Sequence, residues 1–196
     1  MDRRIFMKAM LAGGGLTLLS SQSYALKLFP HPSKKKWAIL FGSRYGSTRD
    51  ASLWIAEGMG WVADILDARE NPDLTSYDGI IVGSGIYYSK IDQPLEAYLI
   101  KNAPAISGKV RALFAVCGSG GTPRAQAFLD ALAGFCKAKP SLQRSFPGRM
   151  TKKLLSKDDY KGLEDSSKQR NRPFEDYDNL QRKDCLQFGE SILAVG

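Results

Sequence analysis

Trp37-Ala38-Ile39-Leu40-Phe41-Gly42-Ser43-Arg44-Tyr45-Gly46-Ser47-Thr48-Arg49 is the stretch that decides the fold. Residues 37–41 are all apolar and have no face to offer water. A short run of that kind, closed by Gly42, reads as a strand buried on both sides, the habit of parallel sheets. A polar turn follows, and Gly46 lets its backbone bend tightly. Thr48, Ala51, Ser52, Ile55, Ala56 and Met59 then recur at helical spacing. The turn therefore joins a strand to a helix. Its exposed N–H groups and the helix N-terminus favour a phosphate, with the hydroxyls of Ser43, Ser47 and Thr48 as further donors. It is neither G-x-x-x-x-G-K-[ST] nor G-x-G-x-x-G.

The same alternation continues outward. Residues 61–66, 79–83 and 110–116 read as further strands, the third of these ending at Cys117 and Gly118. Residues 142–146 read as a weaker fifth strand. Helices are expected after Pro94, over 125–137, and over 180–193 with a start near Asp176. Strands alternating with helices imply a parallel sheet covered on both faces. Ligands of such open sheets sit beyond the carboxyl ends of the strands. Two more loops fall there. Ser84-Gly85-Ile86-Tyr87-Tyr88-Ser89 offers adjacent tyrosines as flat faces for an aromatic ring. Gly118-Ser119-Gly120-Gly121-Thr122 lets the backbone approach a ligand closely.

With these three loops in place, the chain resembles the flavodoxin-like FMN-binding proteins over about residues 37–196. The family's phosphate loop T-x-T-G-x-T is matched by Ser43, Gly46 and Thr48, with Tyr45 where the middle Thr is usual. The stretches 42–48, 77–84 and Phe146-Pro147-Gly148-Arg149-Met150 are similar to the branch containing menaquinone-dependent protoporphyrinogen oxidase. The resemblance implies an α/β, flavodoxin-like five-stranded parallel sheet in the order 2-1-3-4-5, with helices on both faces. It implies FMN as cofactor, with the phosphate held by Ser43, Arg44, Tyr45, Gly46, Ser47 and Thr48 without needing a basic residue. Ser84, Gly85, Ile86, Tyr87 and Tyr88 on one side, and Gly118, Ser119, Gly120 and Gly121 on the other, then flank the flavin ring. Either Tyr87 or Tyr88 stacks on it. The flavin carries the redox chemistry, so no catalytic side chain is expected. Electron transfer or a quinone- or porphyrinogen-linked oxidoreductase reaction is the implied function. The alternative is a flavodoxin-shaped binding module without FMN.

Composition sets the outer limits. The chain has 196 residues, and 43% are hydrophobic, which excludes global disorder. A single His, His31, excludes a His-rich metal site, and three Cys without a C-x-x-C pair exclude a zinc ribbon and a thioredoxin motif. Residues 1–25 read as a signal peptide with an apolar stretch at 9–19 and Ser23-Tyr24-Ala25 as its cleavage site. Arg3-Arg4-Ile5-Phe6-Met7-Lys8 resembles a twin-arginine signal, so export to a bacterial periplasm is expected. Residues 26–36 read as a linker.

The formal charge is +8, and it is local: residues 137–172 carry 11 Lys+Arg against 4 Asp+Glu. That segment takes in the fifth-strand region and what reads as an insertion before the last helix. Its expected partners are an acidic redox protein or a quinone, with possible peripheral contact to anionic lipid. The competing reading is a solvated, partly flexible loop. Export disfavours nucleic acid as a partner.

Overall fold

The computed structural model describes residues 33–195, so the expected signal peptide at 1–25 and most of the expected linker lie outside the described residues. In chain order the elements are β1 (Trp37–Gly42), α1 (Ser47–Gly58), β2 (Ala63–Asp67), β3 (Gly79–Tyr87), β4 (Lys90–Ile91), α2 (Gln93–Ile106), β5 (Val110–Cys117) and α3 (Gln126–Cys136). Then come β6 (Leu142–Pro147), β7 (Arg149–Met150), α4 (Lys157–Gln169), β8 (Tyr177–Asp178) and α5 (Arg182–Val195).

The long strands form one parallel sheet in the order β2-β1-β3-β5-β6. Counting only these five, the order is the expected 2-1-3-4-5. β1 lies inside the sheet between β2 and β3, and every residue of it is buried. Its side chains alternate between two cores, as a period of two demands. Ile39 and Phe41 face α1 and α5, where Ile55, Phe188 and Ile192 close the layer. Ala38 and Leu40 face α2 and α3, against Leu95, Leu99 and Leu132. α1 and α5 approach so closely that a Cβ on Gly58 or Gly189 would run into the backbone of the other helix. Cys117, Cys136 and Cys185 are free and buried, as small core residues, and desolvation pushes the Cys136 and Cys185 thiols up to about 12.

Three features depart from the expected outline. β4 folds back antiparallel on the end of β3 through a two-residue turn. Both turn residues, Tyr88 and Ser89, have positive φ, 52° and 62°. Turns of that pattern normally announce themselves as Asn-Gly or Asp-Gly, which is why Tyr-Ser gave no hairpin signal. β7 and β8 form a separate small ribbon beyond the end of β6. The basic insertion holds a helix, α4, whose N-cap is Ser156: its hydroxyl accepts the Asp159 N–H at 3.1 Å. Among the described residues no helix is long and apolar enough to cross a membrane, and no group of His, Cys, Asp or Glu is placed to hold a metal.

Candidate functional site

β1 is flanked by β2 on one side and β3 on the other, so the chain's connections diverge around its carboxyl end. A crevice opens at such a switch point. The loop after β1 is shaped by Gly46, whose φ of 92° is the left-handed value that only glycine adopts freely. The Gly46 N–H donates to the buried Ser43 hydroxyl at 3.1 Å. α1 starts at Gly46 with no capping side chain, so its first-turn N–H groups stay open. Ser47 is inside the helix, and its hydroxyl donates to the Arg149 carbonyl at 3.4 Å. Thr48 is buried, and its Oγ1 stands 3.0 Å from where a Cβ on Gly85 would lie.

The loop after β3 meets this turn directly. The Arg44 N–H donates to the Tyr87 hydroxyl at 2.7 Å, and the Arg44 guanidinium lies 4.5 Å over the Tyr87 ring. Tyr45 stands edge-on to the same ring at 6.0 Å. Tyr87 thus folds inward across Gly85, and burial pushes its hydroxyl pKa up. Ser84 is fully buried; its hydroxyl donates to the Gly85 carbonyl and accepts the Asp92 N–H at 2.9 Å. That side chain is spent on fastening the start of α2, leaving only backbone for a ligand. Ile86 pairs with Ile91 in the β3–β4 ribbon. Tyr88 is 60% exposed and reaches outward to α4, where its ring end rests against Gly162.

The third loop sits apart. The Gly120 N–H donates to the Cys117 carbonyl at 3.0 Å, and the Gly121 N–H to the Ser145 hydroxyl at 3.0 Å. Ser119 lies 3.6 Å from the Cys117 sulfur. These bonds fold 118–121 down onto the end of β6. The nearest atom to a Cβ on Gly118 is the hydroxyl of Tyr177, 3.4 Å away on β8.

Residues beyond those expected complete the site. A cavity of about 380 Å³ opens beside the first loop, with Ser43 and Gly46 in its wall together with Arg44, Arg49, Arg69 and Arg149. Residues 118–121 are not part of that wall. Asp159 of α4, 7% exposed, gathers the two tyrosine-bearing loops. It accepts hydrogen bonds from Arg44 Nη1 at 2.9 Å, from the Tyr88 hydroxyl at 2.8 Å and from the Tyr45 hydroxyl. Burial alone raises its pKa; the bonds from Tyr45, Arg44 and Tyr88 outweigh that and hold it below the usual carboxylate range. The pattern Ser156-x-x-Asp159 marks a helix start in sequence. Nothing in sequence links it to Tyr45, 114 positions earlier.

The arrangement can therefore receive an anion at the open start of α1. Known proteins share the frame. Oxidised flavodoxin 1 from Bacillus cereus superposes with a TM-score of 0.52 at 20% identity, over 81% of this chain and 97% of that one. Two-electron reduced Megasphaera elsdenii flavodoxin gives 0.52 at 18% identity, over 81% and 98%. A flavodoxin, WrbA-like protein from Agrobacterium tumefaciens gives 0.53 at 14%, over 83% and 97%. At these identities the likeness speaks for the fold. No curated protein matches in sequence. The sequence model of the flavodoxin domain matches residues 38–157, which take in β1 to β7 and both tyrosine-bearing loops. The chain accordingly belongs to the flavodoxin domain family.

Proposed function

We propose that the protein binds FMN and works in electron transfer or as an FMN-dependent oxidoreductase. The observation that carries this is the uncapped start of α1 at Gly46, opening beside a cationic cavity at the carboxyl end of β1. The residues fit the group at its phosphate end. Open N–H groups, the Ser43 and Thr48 hydroxyls and a left-handed glycine make an anion cradle, which the Ser47 hydroxyl joins by releasing the Arg149 carbonyl. Ser84 to Tyr88 and Gly118 to Gly121 then flank the ring, and Tyr177 joins them as an aromatic face the sequence reading did not include. When bound, the flavin supplies the electron chemistry. This chain's part is to bind and orient it, and to shield it with Tyr87 and α4. Purified protein, loaded in the cytoplasm or with added FMN, is expected to show oxidised-flavin absorbance at one equivalent per chain. A colourless protein that takes up no FMN overturns the reading.

A second reading has its own observation. Tyr87 already closes on the Arg44 N–H, and Tyr88 on Asp159. A flavodoxin-shaped module without FMN, docking an acidic partner through its basic segment, would keep those bonds. The absorbance measurement decides between the two. Lys153, Lys157 and Lys161 are exposed along that segment and support it as the docking face for a redox partner protein or an anionic lipid surface. The similarity of 42–48, 77–84 and 146–150 to the protoporphyrinogen oxidase branch supports quinone or porphyrinogen as substrate class. Turnover of the holoprotein with each tests it.

Export completes the proposal; it rests on the signal-like residues 1–25, and its route on Arg3-Arg4-Ile5-Phe6-Met7-Lys8. Replacing both arginines by lysine keeps the charge and breaks the pair. Cell fractionation is expected to find this variant retained in the cytoplasm. Normal export of the variant removes the twin-arginine route.

A further inference from the structure

We propose that the cavity beside Gly46 is a receptor for a phosphate-monoester dianion gripped by arginine, with Arg49 and Arg149 as ligands in addition to the hydroxyl cradle. The proposal rests on the flavin reading only for the identity of the ester, FMN. Its own basis is charge placement. The cavity wall carries Arg44, Arg49, Arg69 and Arg149 and no carboxylate. The Nη2 atoms of Arg149 and Arg49 converge over Gly46, 3.6 and 3.7 Å from the point where a Cβ would stand. That point is the N-terminus of a 12-residue helix, the positive end of its dipole. Cations are disfavoured there, and anions favoured.

Asp50, in the first turn of α1, draws the two guanidiniums together, but one carboxylate uses up neither their donors nor their charge. Asp50 alone serves both guanidiniums, accepting from Arg149 and, at 3.2 Å, from Arg49. Asp178 approaches Arg149 only at 4.0 Å. Each guanidinium has five N–H donors. Asp50 takes one from Arg149 and two from Arg49, which leaves donors on both for a ligand. Arg69 leans on Asp67 at 2.5 Å and Arg44 on Asp159 at 2.9 Å, each from outside the wall. One carboxylate between two guanidiniums and a helix N-terminus leaves positive charge over, and the cavity is where it points. Arg149 comes from β7, so the segment after β6 supplies half of this grip. A cradle of hydroxyls and N–H groups ties affinity to shape; guanidiniums tie it to charge, and so to the phosphate itself.

The test measures FMN, riboflavin and inorganic phosphate binding to the full chain, wild type against Arg49→Gln, Arg149→Gln and Arg149→Lys. Flavin binding is followed by fluorescence and phosphate by thermal shift against chloride at equal ionic strength. Each Gln variant is expected to bind FMN about 10- to 100-fold more weakly, the loss of a charge-assisted hydrogen bond. Riboflavin affinity should not change, and Arg149→Lys should recover part of the loss. Arg49 is 60% exposed at its side chain, so its variant folds even if Arg149→Gln does not. FMN affinity unchanged in both Gln variants overturns the arginine grip and leaves the flavin reading standing. Phosphate stabilisation that is lost in the variants, with no flavin bound by wild type, upholds the grip and overturns FMN. No response of wild type to either overturns both.

Discussion

Asp159→Ala is expected to lower the unfolding free energy by about 2–4 kcal/mol and to release α4 from the site loops. The carboxylate is almost fully buried and accepts from Arg44, Tyr45 and Tyr88. Truncation leaves a guanidinium and two hydroxyls without their acceptor, and the cost of stranded donors exceeds the net worth of the bonds. Tyr88 is 60% exposed and the Arg44 side chain 38%, so both can turn to water, which keeps the loss below that of a fully buried pair. Urea midpoints measure the change, and hydrogen exchange over 152–170 should show α4 opening first. The effect has a pH signature. Hydrogen bonds hold the folded pKa of Asp159 below the usual range despite burial. Its contribution is therefore fully present above the unfolded carboxylate value of about 4 and disappears as pH falls through the lower folded value. The stability gap between wild type and Asp159→Asn should narrow below about pH 4. A gap that stays constant through that range would mean Asp159 acts by shape and not by charge.

Phe114→Ala is expected to cost about 3–5 kcal/mol, the range for deleting a fully buried aromatic ring. Phe114 lies in β5 with no exposed surface, and its ring occupies the space beside β3 that Gly83 leaves by having no side chain. It also meets Phe146 edge-on at 6.1 Å, which continues to Phe188 of α5 at 5.7 Å. The cavity left by Ala cannot close from the β3 side, because Gly83 has nothing to move. Phe114→Leu should lose less. Guanidinium denaturation with an unchanged slope would report this as pure stability loss. A loss below about 1 kcal/mol would show that the two sheets of helices repack freely around β5.

The local pattern carried the frame. Residues 37–42 are apolar throughout, so burial on both faces and a parallel sheet follow from the run itself. Gly46 declares a left-handed turn before a helix, because the conformation at φ 92° is costly for any other residue. The three loops were placed at strand ends by the same reasoning, and β1, β3 and β5 end at Gly42, Tyr87 and Cys117. These features depend on periodicity and on residues a few positions apart, which a chain displays before it folds.

What the tertiary structure alone decided is the furnishing of the site. Arg49, Arg69 and Arg149 lie far apart in sequence, and α1, the turn after β2 and β7 bring them to one cavity wall. Asp159 reads as one acid in a basic insertion, and only the fold of α4 sets it against Arg44, Tyr45 and Tyr88. Tyr87 and Tyr88 were interchangeable as neighbours in sequence; the β3–β4 turn sends one inward across Gly85 and the other out to α4. Charges act through space over several ångströms, whatever their separation along the chain. Strand and helix formation answers to near neighbours, so the scaffold is written locally, while the electrostatics of its site exist only once distant segments have met.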